Sequence, residues 1–111
     1  MPTIKGTNTL AAAGDRVNVM QGSQYEFLNF PAFVEMALIA NPGDAPTAVI
    51  TTGSDILLSN GVLDEKAVTL PLTTDDIQFT DTVLPGERIV VEITATAAAD
   101  VVRHLIKITP L

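Results

Sequence analysis

The run Arg88-Ile89-Val90-Val91-Glu92-Ile93-Thr94-Ala95-Thr96 decides the fold class, together with Val101-Val102-Arg103-His104-Leu105-Ile106-Lys107-Ile108-Thr109 beyond it. In an extended chain successive side chains point to opposite faces. The first run therefore sends Ile89, Val91, Ile93 and Ala95 one way and Arg88, Glu92 and Thr94 the other. The second places Val102, His104, Ile106 and Ile108 on one face, with Arg103 and Lys107 opposite. Period-two alternation in β-branched residues marks a strand. Ala97 to Asp100 reads as the turn that folds the two runs into a hairpin, the expected central pair. Upstream, Leu84-Pro85-Gly86-Glu87 is a strong turn, because Pro presets its second position and Gly supplies positive φ at its third.

The same grammar extends toward the N-terminus. Arg16 to Met20 alternates with Val17 and Val19 on one face, Gln21-Gly22-Ser23 turns, and Gln24 to Leu28 places Tyr25 and Phe27 together. Phe33 to Ala40 admits two readings. Asn29 and Pro31 suit a helix start and Asn41-Pro42-Gly43 a helix end. The run is short and almost wholly apolar, however, and a second β-like run, Thr47 to Thr52, follows one turn later. A buried strand, hairpinned through Asn41 to Pro46, is the preferred reading. Further short pieces are Asp55 to Ser59 before the Asn60-Gly61 turn dipeptide, Ala67 to Leu70 before Pro71, and Ile77 to Thr80. Short strands recurring at roughly 8–12 residue spacing, with no amphipathic helix, predict an all-β fold. We expect a single antiparallel β-sandwich, jelly-roll-like, of about eight or nine short strands. Residues 1–15, rich in Thr, Ala and Gly, read as an extended N-terminal arm, and residues 16–111 as the sandwich domain.

A chain of 111 residues holds one domain. It has no Cys, which removes disulfides, Cys-ligated zinc and thiol chemistry. Its net charge of −7 disfavours nucleic acid and anionic membrane, whose binding draws on Lys and Arg. No run approaches the roughly 18 apolar residues of a bilayer span. The longest apolar run near the N-terminus, Leu10 to Ala13, is too short for a signal peptide, so none is expected.

Chemical motifs are sparse. His104 is the one histidine and sits on an apolar strand face, where a paired structural role outweighs catalysis. Asp75, Asp76 and Asp81 are the best acidic group for calcium, but they lack the loop spacing such a site needs. Neither Gly-x-Ser-x-Gly nor a phosphate-cradling glycine loop occurs. With no Trp and only Tyr25, a sugar-stacking platform is poorly supplied. The sequence therefore predicts no enzyme, no cofactor and no metal.

What remains is an apolar surplus. Mean hydropathy is +0.35. Phe33 to Ala40 is apolar almost throughout, and Val90 and Leu105 fall on outer strand faces. Such a surplus on a small domain predicts burial against other subunits. Glu35, within that apolar run, reads either as an edge-strand guard or as an ion-pair partner across a subunit contact. The candidate contact residues are Leu10, Phe33, Glu35 and Leu105.

Three groups of residues carry a resemblance. They are Arg16-Val17-Asn18-Val19 with Gly22 to Leu28, Thr52-Gly53-Ser54-Asp55-Ile56-Leu57-Leu58, and Asp75-Asp76-Ile77 through Leu84-Pro85-Gly86-Glu87-Arg88-Ile89. In this strand-and-turn pattern the chain resembles small β-sandwich structural proteins of bacteriophage particles. The resemblance implies a non-enzymatic virion component: a minor capsid, cement or decoration protein. Its partners would be other capsid or particle proteins, a homo-oligomer is expected, and its location would be the virion. The competing expectation is a small ligand- or glycan-binding sandwich with a concave pocket at Tyr25. A calcium-dependent adhesion or tail-fibre piece using Asp75, Asp76 and Asp81 is a third.

Overall fold

Strand formation follows the alternation, and the computed structural model, which describes residues 3–67 and 69–111, resolves it into nine strands among those residues. They are β1 (Thr3–Leu10), β2 (Arg16–Asn18), β3 (Ala32–Ala40), β4 (Thr47–Thr52), β5 (Asp55–Val62), β6 (Asp64–Glu65), β7 (Phe79–Val83), β8 (Ile89–Thr94) and β9 (Asp100–Pro110). A single 3-10 turn, Thr74–Asp76, precedes β7. The fold is an all-β sandwich of two packed sheets. The first runs β1-β9-β3, and the far side of β3 is shared by β7, antiparallel to Ala32–Met36, and β6, parallel to Ile39–Ala40. The second runs β2-β8-β4-β5 and is antiparallel throughout.

For β8 and β9 the inner faces are those the alternation marks. Val34, Met36 and Leu38 of β3 and Val102, Ile106 and Ile108 of β9 meet Ile50 of β4 and Ile89, Val91 and Ile93 of β8, all fully buried. Each such side chain contributes about 1.5–3 kcal/mol by leaving water. The Leu84–Glu87 turn forms as expected, with Gly86 at φ +88° and the Glu87 amide donating to Leu84 O at 3.2 Å.

Connectivity departs from the sequence reading at two places. The expected hairpins Arg88–Thr109 and Phe33–Thr52 are arches instead, since β8 and β9, like β3 and β4, lie in opposite sheets. The cause lies in β3 and β9, which already have neighbours on both sides and offer no edge to their sequence successors. Both arches sit at one end of the sandwich and brace one another. Asp44 Oδ2 accepts from the Val101 amide at 3.0 Å, and Thr96 Oγ1 donates to Ala45 O at 2.8 Å. The Asp100 carboxylate, almost wholly buried, accepts from the amides of Thr96 (3.0 Å) and Ala97 (3.3 Å) and so turns the chain.

Smaller departures have local causes. Asn60-Gly61 does not end a strand but lies within β5, where Asn60 takes φ +52° and the register against β4 slips. Such slips twist an exposed edge, as bulges do. Gln24–Leu28 is a turn with a single bridge, Phe27 to Arg88, held by Glu26, whose Oε2 accepts from Arg88 Nε at 2.8 Å. Of the Ala67–Leu70 run, Val68 lies outside the described residues, and the Leu70 amide donates to Ala67 O at 3.0 Å. The Ile77–Thr80 strand begins later and runs longer, as β7. Within residues 1–15, Met1 and Pro2 lie outside the described residues, and Thr3–Leu10 is edge strand β1, paired along its whole length with β9 from Thr3–Lys107 to Leu10–Asp100. The segment is extended, but it belongs to the sheet because Ile4 and Leu10 pack on the core.

Ile106 is fully buried between the sheets. Ile106→Ala should lower unfolding free energy by about 2–5 kcal/mol, read as a fall in the urea midpoint at unchanged m-value.

Candidate interaction surface

The outer face of the first sheet carries three of the four candidate contacts. By register, β3 presents Phe33, Glu35, Ala37 and Ile39 outward, and β9 presents Arg103, Leu105, Lys107 and Thr109. Half of this face is covered by the protein itself. The segment from Lys66 to Gln78 crosses it as a strap and lays Leu72 and Ile77 on Ala37, Ile39 and Leu105 to form a second, smaller apolar cluster. Leu105 is thereby only 7% exposed. Of the outer apolar residues predicted to need another subunit, Ala37, Ile39 and Leu105 are here covered by their own chain, whereas Phe33 is not.

Arg103 anchors the strap. Its guanidinium lies under the segment and donates to the backbone carbonyls of Leu70 (2.5 Å), Ala67 (3.1 Å) and Lys66 (3.2 Å). Lys66 Nζ donates to Pro71 O at 3.0 Å and pairs with Asp76 Oδ2 at 2.8 Å, closing the strap on itself. Thr73 caps the 3-10 turn that carries Asp76, and Asp76 accepts from the Thr73 amide at 2.8 Å. These contacts, the lysine hydrogen bond first, hold the Asp76 carboxyl below its usual range. Gln78 closes the far end, accepting from the Leu38 amide at 3.3 Å and donating to Asp64 Oδ2 at 2.6 Å. Of these anchors only Asp76 was singled out in the sequence, and there as a candidate calcium ligand. Arg103 was read only as a charge on the face of β9 opposite His104, and its pattern gave no sign of the strap above it.

The other half of the face is open. Phe33 is 36% exposed and lies between Thr82 of β7 and Thr109 of β9. Leu84 (59% exposed) and Leu111 (71% exposed) continue the chain just past β7 and β9, and the Leu111 amide donates to Pro31 O at 3.0 Å. Glu35 is half-buried beside them, opposite Lys107 of β9 and Thr80 of β7. It does not guard an edge, because β3 is flanked on both sides. Leu10 stands apart from this surface, buried in the core.

The remaining candidates are dispersed. His104 is buried, with its Nδ1 at 2.8 Å from Asn8 Nδ2. Tyr25 is half-buried and packed on the main core, and no pocket is found among the described residues. Asp75, Asp76 and Asp81 do not converge: the first two sit on the 3-10 turn, whereas Asp81 is on β7 and accepts from Thr52 Oγ1 of the opposite sheet at 2.5 Å. No group of three potential ligands able to hold a metal ion occurs among the described residues.

Asp81 instead meets Asp55 at the open edge between the sheets. The hydrogen bond and negative charge of Asp81, with desolvation and Glu87 adding less, raise the Asp55 carboxyl above its ordinary value. The Thr52 hydroxyl lowers that of Asp81. The class these features define is a β-sandwich without a pocket among the described residues, whose exposed large apolar side chains are Phe27, Phe33, Ile56, Val62, Leu70, Leu84 and Leu111. Comparison with protein-family models, curated proteins and solved structures finds no match to this chain.

Two outcomes follow for this face and edge. Arg103→Ala leaves three strap carbonyls without their donor, so limited proteolysis should cut between Lys66 and Leu72 at least tenfold faster than in the parent protein. Asp55→Asn removes a like charge and should raise Tm at pH 7. Because the folded pKa of Asp55 is raised, the parent protein gains stability as pH falls through that pKa, and the advantage of the variant should shrink there.

Proposed function

We propose that this chain is a non-enzymatic structural protein of a virus particle, a capsid accessory, cement or decoration protein that works through protein–protein contacts. The observation that carries the reading is the open half of the first sheet. There a rigid, Thr-flanked strand surface presents Phe33, with Leu84 and Leu111 exposed beyond it. Large aromatic and aliphatic side chains on a backbone fixed by a packed sheet lose little conformational freedom on docking, which suits a contact surface. The sequence resemblance to bacteriophage sandwich proteins supplies the particle. The net charge of −7 suits an outer or inter-subunit position better than one lining packaged nucleic acid.

On this reading the partner is first of all another copy of the chain. Light scattering after size exclusion should give a defined oligomer for the wild-type protein, and Phe33→Ser should shift it toward monomer with its far-UV spectrum unchanged. A wild-type protein that stays monomeric at high micromolar concentration, or an oligomer untouched by Phe33→Ser, overturns self-assembly through this patch.

A further inference from the structure

His104 lies on the inner face of β9 directly opposite Gly6 of β1, with Leu38 of β3 on its other side. A methyl group on Gly6 would stand 3.0 Å from the imidazole Cε1, so the absence of a side chain there makes room for the ring. Asn8, two residues along β1, directs its amide nitrogen at two acceptors: the Val102 carbonyl at 3.3 Å and His104 Nδ1 at 2.8 Å. The Val102 oxygen is an obligate acceptor, which fixes the amide with its NH2 group toward β9. Nδ1 must then be a bare lone pair, and the ring proton, when there is one, belongs on Nε2.

A protonated imidazole has no place in this arrangement. Both ring nitrogens would donate, setting an N–H against the Asn8 N–H. Turning the Asn8 amide over to meet it would press Oδ1 against the Val102 oxygen. No orientation of Asn8 serves the imidazolium and β9 together. Nor does a neighbouring carboxylate offer compensation. By register Lys5, Arg103 and Lys107 lie on the opposite face of the sheet. The facing strands β2 and β8 contribute Val17, Val91 and Ile93 to the core, and Arg16 and Glu92 pair with each other at 3.7 Å. Asp100, four residues earlier on β9, is committed to the amides of Thr96 and Ala97.

We infer that His104 is a proton-sensitive fastener: its neutral ring holds β1 on β9, and its protonated ring releases it. β1 is the strand free to leave, because it lies at the edge and, among the described residues, its only strand pairing is with β9. Its departure would lay open the backbone hydrogen-bonding groups of β9, an edge that can accept another strand. The sign follows from burial, which lowers the His104 pKa below 6.5. The fastening is complete above that value and is lost as pH falls below it. If the fastened ring stays neutral and the freed ring titrates at 6.5, opening grows by up to about thirtyfold between pH 7.5 and 5.0. This inference is independent of the particle reading.

Hydrogen exchange on the full chain tests it, with rates corrected for intrinsic pH dependence and the β3 peptide as internal reference. In the wild-type protein, protection of residues 3–10 relative to β3 should fall by tenfold or more from pH 7.5 to 5.0. In His104→Gln, which accepts through Oε1 and does not titrate, the ratio should stay constant. A wild-type ratio that does not change, or an equal fall in His104→Gln, overturns the inference. Should His104→Gln not fold, nitrogen NMR of the wild-type imidazole at pH 7.5 decides: a proton on Nε2 is expected, and a proton on Nδ1 overturns it.

Discussion

The pair β3–β9 buries its inner face and, around Ala37, Ile39 and Leu105, half of its outer one, and the rest of the molecule supplies a cover for each. One side is met by the second sheet, where Ile50, Ile89, Val91 and Ile93 close the core. The other is met by an irregular segment with no sheet of its own, and such a segment has backbone carbonyls to satisfy. Arg103 resolves both demands, because a cation on the covered face gives hydrogen bonds to three carbonyls of the cover. Charge-assisted bonds of this kind are stronger than neutral ones and suit a cover with few apolar anchors. Leu72 and Ile77 supply the rest.

This double covering explains the connectivity. With β9 and β7 or β6 on its flanks, β3 has no vacant edge for β4; with β1 and β3 on its flanks, β9 has none for β8. The chain therefore leaves each central strand by crossing to the other layer, and the two crossings meet at Asp44, Thr96 and Val101. Charge is handled differently at the opposite boundary. There Asp81 reaches from one layer to Thr52 of the other and accepts a second carboxylate, Asp55, as neighbour.

Which residues form strands was legible in the sequence for β3, β4, β8 and β9, and which faces turn inward for β8 and β9. Period two and β-branching reflect local backbone geometry, and the inner residues of β8 are those the alternation named. Strand pairing was not legible. A turn such as Thr96–Ala99 looks the same whether it returns the chain within one sheet or lifts it to another, since only the neighbours already present decide. The arm was misjudged in part for the same reason. Thr3, Lys5, Thr7 and Thr9 alternate with Ile4, Gly6, Asn8 and Leu10 in a strand pattern, but its inward face is weakly apolar because Gly6 and Asn8 occupy half of it. Of the candidate contacts, Phe33 and Glu35 lie on the open surface, whereas Leu105 is covered by the strap and Leu10 by the core. A hydropathy surplus counts apolar residues without saying whether the same chain folds back over them.

The pairing of Thr3 with Lys107 has a consequence for how the molecule comes into being. Of the nine described strands, the one made earliest has as its partner the one made latest. Closing the roughly 90-residue loop between Leu10 and Asp100 costs about 2 kcal/mol more chain entropy than closing one of ten residues. During translation β1 therefore waits, unpaired, until β9 leaves the ribosome, because β9 lies between β1 and β3 and the first sheet cannot close without it. The edge strand is the final piece to be laid, in a fold whose long-range pairings already make it slow to assemble.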